Sequence, residues 1–286
     1  MGKIQCKGRK MKRTITFPFF LILIIAFSTV YAQFTPEEIA QRQEIEEFLL
    51  TAEIVRAKDI GEGITKPKRL YLKKGEVEMS GCWKDVKGEY LGNIEGWQYE
   101  IAAYRLDKLL NLNMIPPTVE REFEGKRGSF QFWVTTPYSL LQIMEEKIPM
   151  PTTGAAAERI SRAKYLTRAF DSLIANADRT QQNIRYTEDW RTILIDHSQS
   201  FQSEKKYTKN LVFGKKGIKE QQLFRRLPRT FVENVRGLDF EKIKNAVGPY
   251  LKDKEIKAVL ARKELLLKEI ADMVKEQGED KVLYEM

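Results

Sequence analysis

The stretch Phe170–Tyr186 reads F-D-S-L-I-A-N-A-D-R-T-Q-Q-N-I-R-Y, and Thr192–Phe201 follows a short polar turn as T-I-L-I-D-H-S-Q-S-F. An apolar helical run ends shortly before Asp178, and Asn183 lies five residues further on. A short apolar strand then leads directly into Asp196. Hard cations prefer oxygen ligands, and Mg²⁺ is usually held by few protein groups. The stretch therefore predicts a compact acidic site suited to a divalent cation and phosphate oxygens.

This stretch resembles the catalytic and metal-binding loops of the atypical protein-kinase-like fold, in particular those of bacterial relatives of the phosphatidylinositol 3- and 4-kinase family. In that family, D-R-x-x-x-N precedes I-D-x-G-x-x-F. Residues 178–183 read D-R-T-Q-Q-N and keep the first spacing, and residues 195–201 read I-D-H-S-Q-S-F and keep most of the second. Ser198 departs from the pattern, because the family commonly has glycine there.

The first half of the chain reads as strands followed by one strong helix. Residues 53–60, 68–73 and 77–84 have strand character, and a turn with the pattern G-x-G separates the first two. Gly61 and Gly63 would let backbone N–H groups approach phosphate oxygens closely. A flexible hairpin turn is the alternative interpretation of these glycines.

Lys84 ends the third predicted strand, at the place of the family's phosphate-binding lysine. Residues 97–110 form an amphipathic helix with Glu100 in its first turn. A carboxylate at a helix start is favoured by the helix dipole alone, which is a purely structural alternative. The sequence W-Q-Y-E-I-A-A-Y resembles that of bacterial members of the family, and this resemblance implies that Glu100 pairs with Lys84. We therefore expect the two charged groups to lie within about 4 Å of each other.

The second half of the chain is predicted to be mainly helical. The Lys-rich segment from Lys205 to Lys219 reads as a surface loop. Apolar residues at helical spacing predict three helices, over residues 155–174, 240–250 and 255–277. The first of these ends just before Asp178 and would present that carboxylate at the mouth of a cleft.

The resemblance implies an α+β, two-lobed kinase-like fold. Residues 33–136 would form an N-lobe with an antiparallel sheet, and residues 137–286 a mainly helical C-lobe. Thr135–Pro137 would be the hinge between them, where adenine contacts the backbone in such folds. Trp133 is expected to belong to the core.

The resemblance also implies the chemistry, which is Mg²⁺-dependent phosphoryl transfer from a nucleotide such as ATP. Lys84, held by Glu100, would orient the α- and β-phosphates. Asn183 and Asp196 would bind the metal ions, and Asp178 would orient and deprotonate the acceptor hydroxyl.

The first 32 residues read as a secretory signal. They contain six basic side chains and no acidic one, and Phe17–Phe27 is an apolar run too short to span a bilayer comfortably. Val30–Ala32 fits a cleavage site, so the mature chain is expected to begin near Gln33. An uncleaved anchor is the alternative. We expect an exported protein (periplasmic, extracellular or in a secretory lumen) with no membrane span after cleavage.

Composition excludes several other classes of function. The net charge of +9 falls to +3 once the six basic residues of the signal are removed, which is too weak to indicate a nucleic-acid partner. His197 is the single histidine, so neither a zinc cluster nor a Ser-His-Asp unit can be argued. Cys82 is the only cysteine after the signal and can form no internal disulfide.

Three functions therefore remain open. The first is an exported kinase acting on a hydroxyl group of a protein, a lipid or a small molecule. The second is a nucleotidyl transferase that moves AMP instead of phosphate. The third is a non-catalytic protein that binds a nucleotide or another ligand on a kinase scaffold.

Overall fold

The computed structural model describes residues 34–61, 66–214, 217–219, 221 and 223–285. Two short helices open it, α1 (Pro36–Ala40) and α2 (Arg42–Thr51). The Thr35 hydroxyl accepts a hydrogen bond from the Glu38 N–H at 3.3 Å, and the Glu38 carboxylate accepts one from the Thr35 N–H at 2.7 Å. This reciprocal capping box fixes the start of α1. The predicted signal lies outside the described residues.

An antiparallel sheet of five strands forms the centre of the first half. In chain order, the elements of this half are β1 (Glu53–Asp59), β2 (Lys68–Lys74), β3 (Val77–Lys84), β4 (Lys87–Tyr90), β5 (Asn93–Gly96), α3 (Gln98–Leu109), β6 (Thr118–Phe123) and β7 (Lys126–Phe132). The order across the sheet is β1-β2-β3-β7-β6, and β4 and β5 pair as a separate hairpin. The sheet thus places β3 in the centre, with Lys84 at its end.

Helices dominate the second half. Its elements are β8 (Tyr138–Ser139), α4 (Leu140–Glu145), α5 (Gly154–Ile174), β9 (Ile184–Tyr186), β10 (Thr192–Leu194), α6 (Lys205–Lys209), β11 (Leu227–Pro228), α7 (Arg229–Arg236), α8 (Phe240–Val247), a 3₁₀ turn (Gly248–Tyr250), α9 (Asp253–Gln277), α10 (Glu279–Val282) and β12 (Leu283–Tyr284). Strands β8, β9 and β10 form a small antiparallel sheet, and β11 pairs with β12 in parallel.

Two hydrophobic clusters hold these elements together. The smaller one lies between α2 and one face of the sheet, and its buried members are Phe48, Leu49, Ala52, Leu70, Leu72, Trp83, Val119 and Phe130. The larger one joins α3 to the helices of the second half, through side chains such as Tyr99, Phe170 and Val259. The fold class is therefore α+β with an antiparallel sheet, which confirms this part of the sequence prediction.

Two local expectations are wrong, and one short helix was not predicted. Trp133 belongs to neither cluster of the described residues; it is partly exposed and faces Arg69. The Lys-rich segment is more than a surface loop, because Val212 and Phe213 are buried within it. Helix α4 was not predicted, because its six residues are too few to show a clear period.

Among the residues that the structure describes, no helix is both long enough and apolar enough to cross a bilayer.

Candidate functional site

Lys84 joins two carboxylates that are far apart in sequence. Its Nζ lies 2.7 Å from Oε1 of Glu100 and 2.9 Å from Oδ1 of Asp196. Strand β3 supplies the lysine, the first turn of α3 supplies Glu100, and the chain just after β10 supplies Asp196. The predicted contact between Lys84 and Glu100 is therefore confirmed, and the same ammonium also reaches the predicted metal-binding carboxylate.

The pair between Lys84 and Glu100 is shielded from water. The Lys84 side chain is 11% exposed and that of Glu100 is 3% exposed. Burial opposes the charge on both, but attraction to Asp196 and Glu100 raises the pKa of Lys84 well above its ordinary value. Burial likewise opposes ionisation of Glu100, but Lys84 and His197 hold the pKa of Glu100 well below its ordinary value. Both groups are therefore charged near neutral pH, and each depends on the other.

Asp196 is placed by the strand that precedes it. The Leu194 N–H donates to the Met114 carbonyl at 2.9 Å, and the Ile195 N–H donates to the Asn183 carbonyl at 3.2 Å. Asp196 itself has φ +59°, a left-handed conformation that turns the chain sharply out of the strand. Its side chain stays one-third exposed, so one side of the carboxylate faces accessible space.

A buried polar network lies beneath these groups. Arg179 donates to both carboxylate oxygens of Asp171, at 2.9 and 3.0 Å, and to the Ile195 carbonyl at 2.6 Å. It also lies 2.8 Å from Nε2 of His197. Because a guanidinium can only donate, Nε2 must accept, and the neutral ring carries its proton on Nδ1. Burial and the nearby Arg179 lower the pKa of His197, which favours this neutral form.

His197 links this network to the charged pair. Its backbone N–H donates to Oε2 of Glu100 at 2.9 Å, while its ring contacts Arg179. A continuous chain of contacts therefore runs from Asp171 on α5 to Lys84 on β3. His197 therefore lies between the buried network and the charged pair.

Asp178 follows α5 on a short loop that its neighbours hold in place. Ala175 ends the helix in a left-handed conformation (φ +51°), and Asn176 Oδ1 accepts the N–H of Asp178 at 3.1 Å. Asn183 Nδ2 donates to the Asp178 carbonyl at 3.3 Å, and Gln199 Nε2 donates to its carboxylate at 3.4 Å. Burial, and then repulsion from the charge on Asp196, raises the pKa of Asp178.

Glu95 is a further acidic side chain at this site, and sequence reasoning missed it. It lies on β5 and is only 9% exposed. The Ser198 hydroxyl lies 3.0 Å from Glu95 Oε1 and 3.2 Å from Asp196 Oδ1. Because it has a single proton, it can donate a hydrogen bond to only one of them at a time. Burial, and then repulsion from Asp196, raises the pKa of Glu95. No local pattern marks it, because only tertiary packing brings β5 to this position.

These residues suit a divalent cation bound together with phosphate. Glu95, Asp178 and Asp196 carry like charges whose repulsion a cation would relieve, and Asn183 adds an amide. No group of three or more histidine, cysteine, aspartate or glutamate side chains in the described ranges is arranged as a metal cage. A Mg²⁺ ion that takes oxygen ligands from phosphate needs only one or two protein carboxylates.

The predicted glycine turn is described only at its first residue. Gly61 follows β1 with φ +74°, and no atom would meet a Cβ there within 4 Å. The turn is closed on the described side by the Ile60 N–H, which donates to the Pro67 carbonyl at 3.1 Å. Gly63, the second predicted phosphate-binding glycine, lies outside the described residues.

Comparison with models of known protein families and with curated proteins found no match to this chain.

Proposed function

We propose that this chain is an exported, Mg²⁺-dependent phosphotransferase that moves a phosphoryl group from a nucleotide such as ATP to a hydroxyl acceptor. The observation that carries the proposal is the Lys84 ammonium, which contacts both Glu100 and Asp196. Asp178 and Asn183 lie on the adjoining loop. These five side chains, from four segments of the chain, would supply a cation with its carboxylate partner, a metal-binding pair and a candidate base.

The proposed architecture has two lobes, an N-lobe over residues 33–136 and a C-lobe over residues 137–286. The smaller hydrophobic cluster supports a separate unit of the sheet and α2, whereas the larger cluster packs α3 together with the helices of the second half and so extends across the proposed boundary. Helix α3 belongs mainly to the larger cluster while Glu100 at its start reaches Lys84 on the sheet. The proposed cleft therefore lies where β3, α3 and the segment after β10 meet.

Lys84 would orient the α- and β-phosphates while Glu100 keeps it in position. A phosphate anion would compete with Asp196 for the ammonium, because both are acceptors for the same N–H donors. That exchange frees Asp196 Oδ1 to act together with Asn183 as a metal ligand. When bound there, Mg²⁺ would neutralise phosphate charge and steady the transferring group.

Asp178 would orient the acceptor hydroxyl and take its proton. Because its pKa is raised, the carboxylate of Asp178 is a stronger base toward the acceptor hydroxyl than an ordinary aspartate is. Its loop is fixed by Asn176 and Asn183, and Gln199 holds the carboxylate from one side. Most of the catalytic effect would come from positioning and electrostatics.

A matched pair of variants tests these two roles. Asp196→Asn should weaken binding of Mg²⁺–ATP at least about tenfold, because it removes the charge of a metal ligand. Asp178→Asn should bind Mg²⁺–ATP as the parent does but release ADP about 10²–10⁴ times more slowly, with water or the protein's own hydroxyls as acceptor. Calorimetric titration and ADP release measure the two quantities, and a thermal melt controls for folding.

Each remaining outcome has a definite meaning. Unchanged Mg²⁺–ATP binding by Asp196→Asn would refute the metal assignment. Release of pyrophosphate instead of ADP would indicate AMP transfer. Tight binding by the parent with no release of either product would leave a nucleotide-binding protein.

Export is the second part of the proposal, and it is supported by the charge and apolar pattern of residues 1–32. Cleavage after Ala32 should give a mature chain that starts near Gln33. Sequencing the N-terminus of the exported protein measures this directly, and a mature N-terminus before Phe17 would contradict a cleaved signal.

A further inference from the structure

A cavity of about 420 Å³ lies between the first two helices and the sheet. Its volume falls in the range of small-molecule pockets, which is about 300–1,000 Å³. Six apolar side chains line it, namely Phe34, Ile45, Met79, Pro117, Phe132 and Val134. The cavity can therefore hold a small ligand that has an apolar body.

The cavity lies on the opposite side of the sheet from the candidate functional site. On β3, Met79 lies four residues before Trp83, so the two side chains share one face. Trp83 belongs to the smaller hydrophobic cluster, and Met79 packs against that cluster. Lys84 follows Trp83 and therefore lies on the other face. A ligand in the cavity is thus separated by the sheet from a ligand at Lys84.

Arg42 is a buried cation in the wall of this cavity. It is only 9% exposed, and its guanidinium carbon lies 5.7 Å from the centroid of the Tyr104 ring. Among the residues that the structure describes, its Nη2 has no hydrogen-bond partner. A buried N–H group without an acceptor carries a desolvation cost, which an acceptor on a ligand would remove.

Asp107 does not supply the missing acceptor. Burial raises the pKa of Asp107 to about 7, although attraction to Arg42 works against this rise. The carboxyl group is therefore only partly ionised near neutral pH and balances the charge of Arg42 incompletely. No hydrogen bond joins the two groups in the described part of the chain, because Arg42 Nη2 and Asp107 Oδ2 are both without a partner.

Two carboxylates also line the cavity, but each is already stabilised in another way. Glu38 accepts hydrogen bonds from Arg191 Nη2 at 3.3 Å and from the Thr35 N–H at 2.7 Å. Glu44 is exposed, so water solvates its charge. Of the three charged side chains in the wall, Arg42 is thus the one that is buried and still needs a counter-ion.

We propose that this cavity binds an apolar monocarboxylic acid, such as a fatty acid of about ten carbon atoms. The carboxylate pairs with the Arg42 guanidinium through charge-assisted hydrogen bonds, and the hydrocarbon chain lies against the apolar walls. At about 30 Å³ for each water-sized group, the cavity holds roughly fourteen non-hydrogen atoms, and a ten-carbon acid has about twelve. This inference does not depend on the proposed function, because it uses none of the residues assigned to nucleotide, metal or acceptor.

The experiment compares three ligands that share a ten-carbon chain by calorimetric titration of the mature protein. Decanoate carries an anionic head, decanol a neutral one and decyltrimethylammonium a cationic one. The variants are Arg42→Gln, which removes the cation, and Val134→Trp, which fills the cavity. Lys257→Gln, at an exposed position on α9, is the control for loss of one positive charge.

Decanoate should bind the parent at one site per chain, at least about tenfold more tightly than decanol or decyltrimethylammonium. Arg42→Gln should weaken decanoate about tenfold and change decanol less than twofold, because only the charged head loses its partner. Val134→Trp should weaken both of these ligands at least about tenfold, and Lys257→Gln should change neither. A thermal melt identifies any variant that fails to fold. If Arg42→Gln does so, the comparison of heads on the parent and the result for Val134→Trp decide the matter.

Four outcomes would overturn the inference. Absence of saturable decanoate binding to the parent would refute the site. Equal binding of decanoate and decanol would show that Arg42 does not select an anion. Tighter binding of decyltrimethylammonium would assign the selection to Glu38 and Glu44 instead. Unchanged decanoate binding by Val134→Trp would place the ligand somewhere other than this cavity.

Discussion

Asp107 shows how one buried carboxylate can make stability depend on pH. It lies in α3 with its side chain fully buried, and Oδ1 accepts the Met114 N–H at 2.9 Å. Its second oxygen has no hydrogen-bond partner. Burial raises the pKa of Asp107 to about 7, from an ordinary value of 3.8. The folded state therefore holds this proton more tightly than the unfolded state does.

The sign of the resulting effect follows from this order of pKa values. The stabilising contribution of protonated Asp107 is complete below about pH 4 and is lost as the pH rises through about 7. The side chain of Asp107→Asn cannot ionise. Between about pH 5 and pH 8, the free energy of unfolding of the parent should therefore fall by about 3 kcal/mol more than that of the variant. Urea unfolding at the two pH values measures the difference. Parallel pH profiles of the free energy of unfolding for parent and variant would show that Asp107 does not cause the pH dependence of stability.

Among the elements, α9 stabilises the segments that carry the site. Arg262, fully buried on this helix, donates to the Leu173 carbonyl at the end of α5 and to the Gln202 carbonyl, both at 2.8 Å. Gln202 in turn exchanges two hydrogen bonds with the backbone of Ile94, next to Glu95. One side chain of α9 thus connects the end of α5 to the segment after β10, which in turn holds strand β5.

Removing this guanidinium should loosen both segments. Arg262→Met leaves two buried carbonyls without their donor, so we expect a loss of about 3 kcal/mol in the free energy of unfolding. Lys268→Met, at an exposed position of the same helix, should change it by less than about 0.5 kcal/mol. Chemical unfolding of both variants makes the comparison. An equal effect of the two substitutions would show that the hydrogen bonds of Arg262 do not stabilise the fold.

The elements also show what sequence could and could not predict. Strand β3 was predicted over Val77–Lys84, because alternation and flanking turn residues are local signals. Helices α5 and α9 were predicted from their apolar period. Short elements such as α4 and α6 contain too few residues to show a helical period, and tertiary packing determines whether they form helices.

The residues of the candidate site likewise divide into those that the sequence could predict and those that it could not. Asp178, Asn183 and Asp196 could be chosen because their spacing carries the resemblance to a kinase-like loop. Glu95 could not, because a lone acid on a short hairpin strand has no sequence signal. The buried network of Asp171, Arg179 and His197 also depends on packing between α5 and the segment after β10.

At the scale of the whole molecule, the charged contact at Lys84 connects the two hydrophobic clusters. Its neighbour Trp83 packs in the cluster of the sheet, whereas Tyr99, next to Glu100, packs in the larger helical cluster. The ion pair between Lys84 and Glu100 therefore sits where the sheet meets the helices. A ligand that enters this place contacts both halves of the fold at once.

We propose that the place where the sheet meets the helices binds a nucleotide together with Mg²⁺. The most direct measurement is calorimetric titration of ATP into the mature protein, with Mg²⁺ and with EDTA in its place. We expect saturable binding at one site per chain with Mg²⁺, and binding at least about tenfold weaker with EDTA, because the carboxylates around Asp196 then repel the phosphates. Absence of binding in both conditions, or equal affinity in both, would contradict it.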